Sequence, residues 1–187
     1  MAQPKVMVFA GSARVGSLNK RFAKLAAERL DVLGGAATFV DLNDYPCPLF
    51  DEEIEAQGTP ENVLKLRELL AEHDGVLIAS PEYNGFITPL LKNTLDWLSR
   101  PHGDTPGLAL FAGKPAGLIA ASPGGLGGIR ALPVVQHLLH NLNLVVIPPA
   151  MSLPGAADAF DDNGALKDEA KAQQLDALCL RLIKAMR

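Results

Sequence analysis

The sequence predicts an α/β fold in which helices cover both faces of a parallel sheet. Three observations lead to this fold class. Short apolar runs alternate along the chain with longer segments whose apolar residues repeat every three or four positions. Most runs are continuous rather than alternating, which is typical of strands buried on both faces. The composition, with 48 % apolar and 20 % charged residues, is that of an ordinary folded protein.

Four apolar runs and a weaker one are the predicted strands. They are Lys5–Gly11, Ala37–Leu42 (the weaker run), Gly75–Ser80, Ala116–Ser122 and Leu144–Pro149. Amphipathic stripes predict the helices that follow them. The stripes are Leu18–Leu30, Val63–Leu70, Ile87–Leu98, Leu132–Leu142 and Leu175–Leu182. Thr88 is placed to cap the third helix, with Pro89 at its first position. Cys179 is expected to fill the core.

The alternation of strands and helices implies right-handed crossovers between parallel strands. Five strands with a phosphate-type first loop favour the flavodoxin-like order 2-1-3-4-5 over the six-stranded dinucleotide fold. The segment 148–168 is rich in Pro, Gly and Asp, which predicts a loop with room for a small hairpin. A length of 187 residues fits one domain, so we expect residues 1–187 to form a single domain.

Charge and cysteine content exclude several classes of protein. The net charge is −4 and no basic stripe is visible, which argues against a nucleic-acid partner. Cys47 and Cys179 lie far apart, which predicts neither a disulfide framework nor a metal or iron–sulfur site. The N-terminus lacks a signal-peptide layout, and no apolar stretch approaches membrane-spanning length. We therefore expect a soluble cytoplasmic protein with no membrane partner.

Ligands of such sheets bind beyond the carboxyl ends of the strands, where the strand order reverses. The first loop there is "GSARVGSLN", Gly11 to Asn19, and it leads into a helix whose unpaired backbone N–H groups bind anions. A helix cap at Ser17 would explain one polar residue only, so the loop favours a phosphate site. Ser17 and Leu18 replace the lysine and hydroxyl of a nucleoside-triphosphate loop, and Ala13 replaces a glycine of the dinucleotide motif. A lone monoester phosphate fits better.

The second loop, "SPEYNG", contains the strong turn signal Asn84–Gly85. A capped helix follows, and not the alternating strand of a hairpin, so we expect a bend. Tyr83 is placed to lie near a flat ring, and Asn84 to hydrogen-bond the edge of a heterocycle. Glu82 has no carboxylate or histidine paired with it locally. This favours a structural or hydrogen-bonding role and leaves acid–base chemistry as the alternative.

The third loop, "ASPGGLGGIR", carries glycines that let a backbone approach a planar ligand closely. Its start resembles a relaxed nucleophile elbow with Ser122 as the nucleophile. The oxyanion-hole N–H would have to come from Pro123, which has none, so a serine hydrolase is disfavoured. His137 and His140 are helical neighbours without an apparent third ligand, and we assign them no metal or catalytic role.

Three motifs together, "GSxRxxSxN", "PEYN" and "LKNxxDWLSR", resemble the NADPH-dependent FMN reductase family, which includes quinone reductases, chromate reductases and azoreductases. The match follows nearly the whole chain in order. The resemblance implies bound FMN, NADPH or NADH as co-substrate, and a homodimer or homotetramer with FMN near a subunit interface. Trp97 would then lie in the core or in the dimer contact.

The resemblance also implies the cofactor contacts, by motif position. The phosphate contacts would be Ser12, Arg14, Ser17, Leu18 and Asn19. The contacts to the flavin ring would be Pro81, Glu82, Tyr83, Asn84 and Gly85 on one side, with Ser122, Gly124 and Gly125 on the other.

The implied reaction is a ping-pong transfer of hydride from NAD(P)H to flavin N5, and then of electrons to a quinone, azo compound, metal oxyanion or free flavin. The cofactor carries this chemistry, so no catalytic side chain is expected. The alternatives are an electron carrier, a class that tends to be strongly acidic, and a regulatory module, since fold does not dictate function. No 2′-phosphate site is visible in the sequence, which leaves the choice between NADPH and NADH open.

Overall fold

The computed structural model describes residues 2–187, and in this part of the chain six strands form one sheet between two layers of helices. The strands are β1 (Lys5–Ala10), β2 (Ala36–Val40), β3 (Gly75–Ala79), β4 (Pro115–Ala121), β5 (Val145–Val146) and β6 (Met151–Leu153). The helices are α1 (Leu18–Val32), α2 (Glu52–Ala56), α3 (Glu61–Glu72), α4 (Pro89–Leu98), α5 (Ala131–Asn141) and α6 (Glu169–Ala185). Short 3₁₀ turns occupy Leu42–Asp44 and Gly107–Leu110.

The strand order confirms the predicted topology. The strands run parallel in the order β2-β1-β3-β4-β5, and β6 pairs with β4 beyond the end of β5. Ala10 of β1 lies beside Ala79 of β3, which in turn lies beside Ile119 of β4. The loops that follow these three strands therefore leave the sheet at one edge, around the point where the strand order reverses.

The central strands are buried on both faces, which explains why their sequences do not alternate. In β1, Val6 and Val8 face a core shared with α1 and α6, whereas Met7 and Phe9 face a second core shared with α3, α4 and α5. The predicted helical stripes fill these two cores. Cys179 is fully buried among them, and burial raises the pKa of its thiol to about 12.

The fifth strand differs from the prediction. The expected run Leu144–Pro149 forms a strand only at Val145–Val146, because Pro148 and Pro149 carry no backbone N–H and interrupt the ladder. The chain pairs with β4 again at Met151–Leu153, inside the segment that the sequence analysis expected to be a loop. Later in the same segment, Phe160 and Leu166 form an isolated antiparallel bridge, where room for a small hairpin was expected.

The segment between β2 and α3 packs on α4 and contains α2, a short helix that the sequence patterns did not predict. Asp51 caps α2 by accepting a hydrogen bond from the N–H of Glu53 at 2.7 Å. Trp97 lies beneath this segment and is 1 % exposed. Its Nε1 donates to the carbonyl of Pro48 at 2.8 Å, and its ring meets the ring of Phe50 edge-on. Trp97 is therefore buried by its own chain.

Within residues 2–187, no helix combines the length and the apolar character needed to cross a membrane.

Candidate functional site

The loops after β1, β3 and β4 enclose a cavity of about 300 Å³, which we call the three-loop cavity. Loop 1 (11–19), loop 2 (80–86) and loop 3 (121–130) each supply part of its wall. The lining residues are Ser12, Arg14, Ser17, Leu18, Asn19, Pro81, Glu82, Tyr83, Ala121, Ser122 and Pro123. Three segments that are distant in sequence thus meet at one concave site.

Loop 1 presents the start of α1 to the cavity. Ser17 caps the helix, since its hydroxyl accepts a hydrogen bond from the N–H three residues later at 3.3 Å. The N–H groups of Leu18 and Asn19 have no acceptor among residues 2–187, so they are available to an anion. At the other end of the loop, the Thr88 hydroxyl donates to the carbonyl of Gly11 at 2.7 Å and ties loop 1 to α4.

Arg14 is the exposed cation of the cavity wall. Its guanidinium forms no salt bridge within residues 2–187. The backbone N–H of Arg14 donates to the hydroxyl of Ser12 at 3.4 Å, which orders this side of the loop. The guanidinium is therefore free to contact a bound anion.

Asn19 ties loop 1 to the end of β4. Its Nδ2 donates to the carbonyl of Ala121 at 2.8 Å, and its Oδ1 accepts from the N–H of the same residue at 2.9 Å. The side chain is buried in this paired contact. Its amide thus fixes the spacing of loops 1 and 3, and the backbone N–H is the group that remains for a ligand.

Loop 2 is a two-residue hairpin, which corrects the bend expected from the sequence. Tyr83 and Phe86 exchange two backbone hydrogen bonds of 3.0 Å, and Asn84 (φ 54°) and Gly85 (φ 80°) between them are left-handed. Positive φ at both positions is the type I′ geometry that Asn-Gly favours. The hairpin does not extend beyond this pair, because Thr88 already caps α4. Tyr83 and Phe86 are 57 % and 56 % exposed, and as a directly opposed pair they share one face.

An ion pair between Glu82 and Arg130, which we call the Glu82–Arg130 latch, closes loop 2 onto loop 3. Arg130 donates from Nε to Glu82 Oε1 at 2.7 Å, from Nη2 to the same oxygen, and from its backbone N–H to Oε2 at 3.1 Å. The Glu82 side chain is 8 % exposed and that of Arg130 is 59 % exposed. The hydrogen bonds from Arg130 lower the pKa of Glu82 below its usual value. A carboxylate kept ionised by this many donors acts as a brace between the loops and is poorly suited to donate a proton.

Loop 3 packs closely against the backbone at the end of β6, and a glycine makes this contact possible. Gly127 has φ 60°, and a Cβ at this position would lie 2.5 Å from the nitrogen of Pro154 and 2.7 Å from the carbonyl carbon of Leu153. Both the backbone conformation and the close approach therefore require glycine. The Ser122 hydroxyl accepts from the N–H of Gly124 at 3.1 Å, which orders the turn and leaves the O–H as a donor.

The predicted contact residues fall into two groups. Most of them line the three-loop cavity: Ser12, Arg14, Ser17, Leu18, Asn19, Pro81, Glu82, Tyr83 and Ser122. The others form the turns of loops 2 and 3 without lining it: Asn84, Gly85, Gly124 and Gly125. The sequence analysis did not select Ala121, Pro123, Phe86 or Arg130. A signal for Arg130 was present, since it is the cation of loop 3 and Glu82 is the carboxylate of loop 2.

The histidines take no part in this wall. On α5, His137 Nε2 lies 3.3 Å from the Asn141 side-chain amide, and the neighbouring His140 is exposed. No group of three or more His, Cys, Asp or Glu side chains in the described part of the chain could hold a metal ion.

The donors of the cavity suit a phosphomonoester attached to a flat ring. Loop 1 contributes N–H groups without an acceptor in the described chain, hydroxyls and the guanidinium of Arg14. Loops 2 and 3 contribute Pro81–Tyr83 and Ala121–Pro123 to the wall, and Arg130 neutralises the charge of Glu82. FMN has one phosphate and one planar ring, so it fits the residues present. The volume lies at the lower end of the usual range for ligand pockets, roughly 300–1,000 Å³, so part of a flavin would extend over the rim.

Known proteins match the chain over most of its length. The family model described as NADPH-dependent FMN reductase matches residues 4–158. A quinone reductase of Pseudomonas putida is 35 % identical over 171 residues, covering 89 % of this chain and 86 % of the relative. An NADPH azoreductase of a Bacillus strain is 32 % identical over 167 residues, covering 89 % and 84 %. The structure of FerB, a flavoenzyme NAD(P)H:(acceptor) oxidoreductase from Paracoccus denitrificans, has a TM-score of 0.81 and 28 % identity, covering 98 % of this chain and 97 % of its own.

Proposed function

The chain belongs to the NADPH-dependent FMN reductase family, and from this premise we propose that its three-loop cavity holds FMN and supports the reduction of quinones by NAD(P)H. One observation carries the proposal: three loops converge on a single cavity, to which loop 1 contributes anion donors and loops 2 and 3 contribute the rest of the wall. Relatives that are a quinone reductase and an azoreductase support quinones and azo compounds as acceptors. Reduction of chromate or other metal oxyanions stays a prediction, as does a cytoplasmic location.

The phosphate end of the proposed site is loop 1. The N–H groups of Leu18 and Asn19 lie in the first turn of α1 and have no acceptors in the described chain. A bound anion would accept hydrogen bonds from them. The hydroxyls of Ser12 and Ser17 add donors, and Arg14 adds a charge-assisted one. Loop 1 would hold a monoester phosphate without a metal ion or a lysine.

The ring end of the proposed site is the gap between loops 2 and 3. When bound, FMN supplies the chemistry, accepting hydride from NAD(P)H and passing electrons to the acceptor. Pro81–Tyr83 and Ala121–Pro123 would bind a flat ring and keep water from its buried parts. The Glu82–Arg130 latch and Asn19 set the spacing of these walls. The chain's role in this proposal is to bind, orient and shield.

An apolar rim around the cavity supports assembly into a homodimer or homotetramer. Each of the three loops contributes an exposed apolar side chain to this rim: Val15, Tyr83, Phe86, Leu126 and Ile129. These side chains are about half exposed or more, and we propose that they form one patch of the kind that marks an interface. A second copy placed there would cover the part of a flavin that extends beyond the cavity. Sedimentation velocity of the purified protein checks this, and a monomer at micromolar concentration would contradict it.

Rapid mixing separates the enzyme from an electron carrier on the same fold. The FMN-loaded protein is mixed with NADPH or NADH without oxygen, and then with a benzoquinone. We expect rapid loss of the oxidised-flavin absorbance in the first mix and its return in the second. Reduction by dithionite but not by either nicotinamide cofactor would make the protein a carrier and contradict the proposal. A purified protein that releases no flavin on heating and binds none when it is added would contradict the cofactor site itself.

A further inference from the structure

A larger cavity, of about 530 Å³, lies on the other flank of loop 1, and we call it the α1 cavity. Its wall combines the tip of loop 1, the first turns of α1 and the turn after β2. Ser17 and Leu18 line both this cavity and the three-loop cavity. The two cavities therefore adjoin across loop 1, and one extended molecule can reach both.

The wall of the α1 cavity has an excess of positive charge. It carries three cations, Lys20, Arg21 and Lys24, against a single carboxylate, Asp41. Lys20 is committed to the fold, because its ammonium pairs with Asp41 at 2.6 Å and its side chain is 8 % exposed. Burial opposes ionisation of Asp41, but hydrogen bonds from Lys20 and from the N–H of Asn43 outweigh it and lower the pKa. Neither Arg21 nor Lys24 forms a salt bridge in the described part of the chain, although the charge of Lys24 also contributes to the lowered pKa of Asp41.

Arg21 and Lys24 are held in place without being neutralised. The guanidinium of Arg21 lies 4.4 Å from the ring centroid of Phe160, and its Nη2 donates to the carbonyl of Asp161 at 2.9 Å. The ammonium of Lys24 lies 5.2 Å from the ring centroid of Phe39. Neither side chain forms a salt bridge within residues 2–187. Contact with an aromatic face positions a cation while leaving its N–H donors available.

We propose that the α1 cavity binds the adenosine end of NADPH, with Lys24 and Arg21 contacting the 2′-phosphate. The proposal rests on the function proposed above, since that function brings a nicotinamide cofactor to the neighbouring three-loop cavity. A phosphomonoester carries about −1.5 to −2 charges at neutral pH, and two unneutralised cations on a chain of net charge −4 form a local attractor for it. NADH has a hydroxyl at this position. The α1 cavity would therefore make the enzyme prefer NADPH.

The test compares Lys24→Ala with Lys184→Ala, a control that removes the same charge from an exposed position on α6. For the FMN-loaded proteins, kcat/KM is measured with NADPH and with NADH at a fixed benzoquinone concentration. We expect wild type and the control to prefer NADPH, and Lys24→Ala to lower the NADPH/NADH ratio about five- to tenfold by loss of a charge-assisted contact. Lys24→Glu should lower it further, and Lys24→Arg should retain it. kcat/KM with NADH, which lacks the 2′-phosphate, should change less than kcat/KM with NADPH in Lys24→Ala and Lys24→Glu.

Calorimetry gives a readout that does not depend on activity. Adenosine 2′,5′-bisphosphate and adenosine 5′-monophosphate are titrated into the same FMN-loaded proteins. Lys24→Ala should weaken binding of the bisphosphate about five- to tenfold and leave the monophosphate unaffected. Equal affinity of the wild type for both nucleotides would overturn the inference.

Other results separate the inference from the function on which it rests. An unchanged NADPH/NADH ratio in an active Lys24→Ala enzyme overturns the inference and leaves the proposed function standing. A loss of FMN affinity in Lys24→Ala, in place of a change in that ratio, would put the flavin phosphate in the α1 cavity and also overturn the inference. A wild type that is reduced by neither cofactor overturns the proposed function, and the titration with bisphosphate then still decides whether the α1 cavity selects a 2′-phosphate.

Discussion

The two cavities on either side of loop 1 are built in opposite ways. The three-loop cavity is made by three segments that are distant in sequence, and its carboxylate, Glu82, is neutralised by the latch. The α1 cavity is made largely by one helix and a turn, and its wall keeps two unneutralised cations. The first depends on the packing of its loops, on backbone donors and on the single cation Arg14, whereas the second depends on the cations of α1. Disruption of loop packing should therefore affect the three-loop cavity, and removal of charge from α1 should affect the α1 cavity.

The largest effect is expected from Gly127→Ala. The added Cβ would lie 2.5 Å from the backbone nitrogen of Pro154 at a position with φ 60°, so loop 3 has to move. We expect a loss of about 2–4 kcal/mol in the free energy of unfolding, measured by urea denaturation, together with weaker FMN retention. The control is Gly125→Ala in the same loop, where a Cβ meets nothing within 4 Å. Its free energy of unfolding should stay within about 0.5 kcal/mol of wild type, and equal losses in the two variants would refute the packing argument.

A smaller effect is expected from Glu82→Gln, which keeps a hydrogen-bond acceptor but removes the charge of the latch. We expect FMN affinity to fall about tenfold at pH 7, measured by flavin fluorescence titration. Glu68→Gln removes a similar charge from an exposed position on α3 and should leave FMN affinity unchanged. Wild-type affinity in Glu82→Gln would mean that the latch does not shape the cavity.

The pH dependence of stability gives a separate check on the Glu82–Arg130 latch. The pKa of Glu82 is lower in the folded protein, because Arg130 donates hydrogen bonds to its carboxylate. The stabilisation is therefore complete above the pKa of an unfolded glutamate, about 4.3, and is lost as the pH falls through the folded value. The difference in stability between wild type and Glu82→Gln should shrink below about pH 4. A difference that grows as the pH falls would contradict the assignment.

Local sequence patterns predicted most of the fold and much of the candidate site. Continuous apolar runs reveal strands buried on both faces, and loop composition drew attention to the three loops that close the cavity. The latch was not predicted, because Glu82 and Arg130 are 48 positions apart, and their single charges in loops 2 and 3 indicate a pair only once the folded sheet brings these loops together. The hairpin in loop 2 was dismissed because a helix follows it, yet the Asn84–Gly85 turn needs only a single pair of residues to close.

The sequence patterns did not predict the α1 cavity, for a different reason. Lys20 and Lys24 are one helical turn apart on a helix whose other face is apolar, which is the ordinary pattern of a solvated helix surface. Only the structure distinguishes Lys20, which pairs with Asp41, from Lys24, which does not. The sequence likewise did not predict the split of the fifth strand, because an apolar run does not show where the backbone hydrogen bonds to β4 are interrupted.

The ratio of the affinities for FMN and riboflavin tests most directly whether the three-loop cavity holds FMN by its phosphate. The two ligands share the ring and differ in the phosphate, so the ratio isolates the contribution of loop 1. Titration of flavin-free wild type should give at least about a hundredfold preference for FMN, and Arg14→Ala should reduce it about tenfold without loss of folding. Equal affinity of the wild type for FMN and riboflavin would contradict the claim.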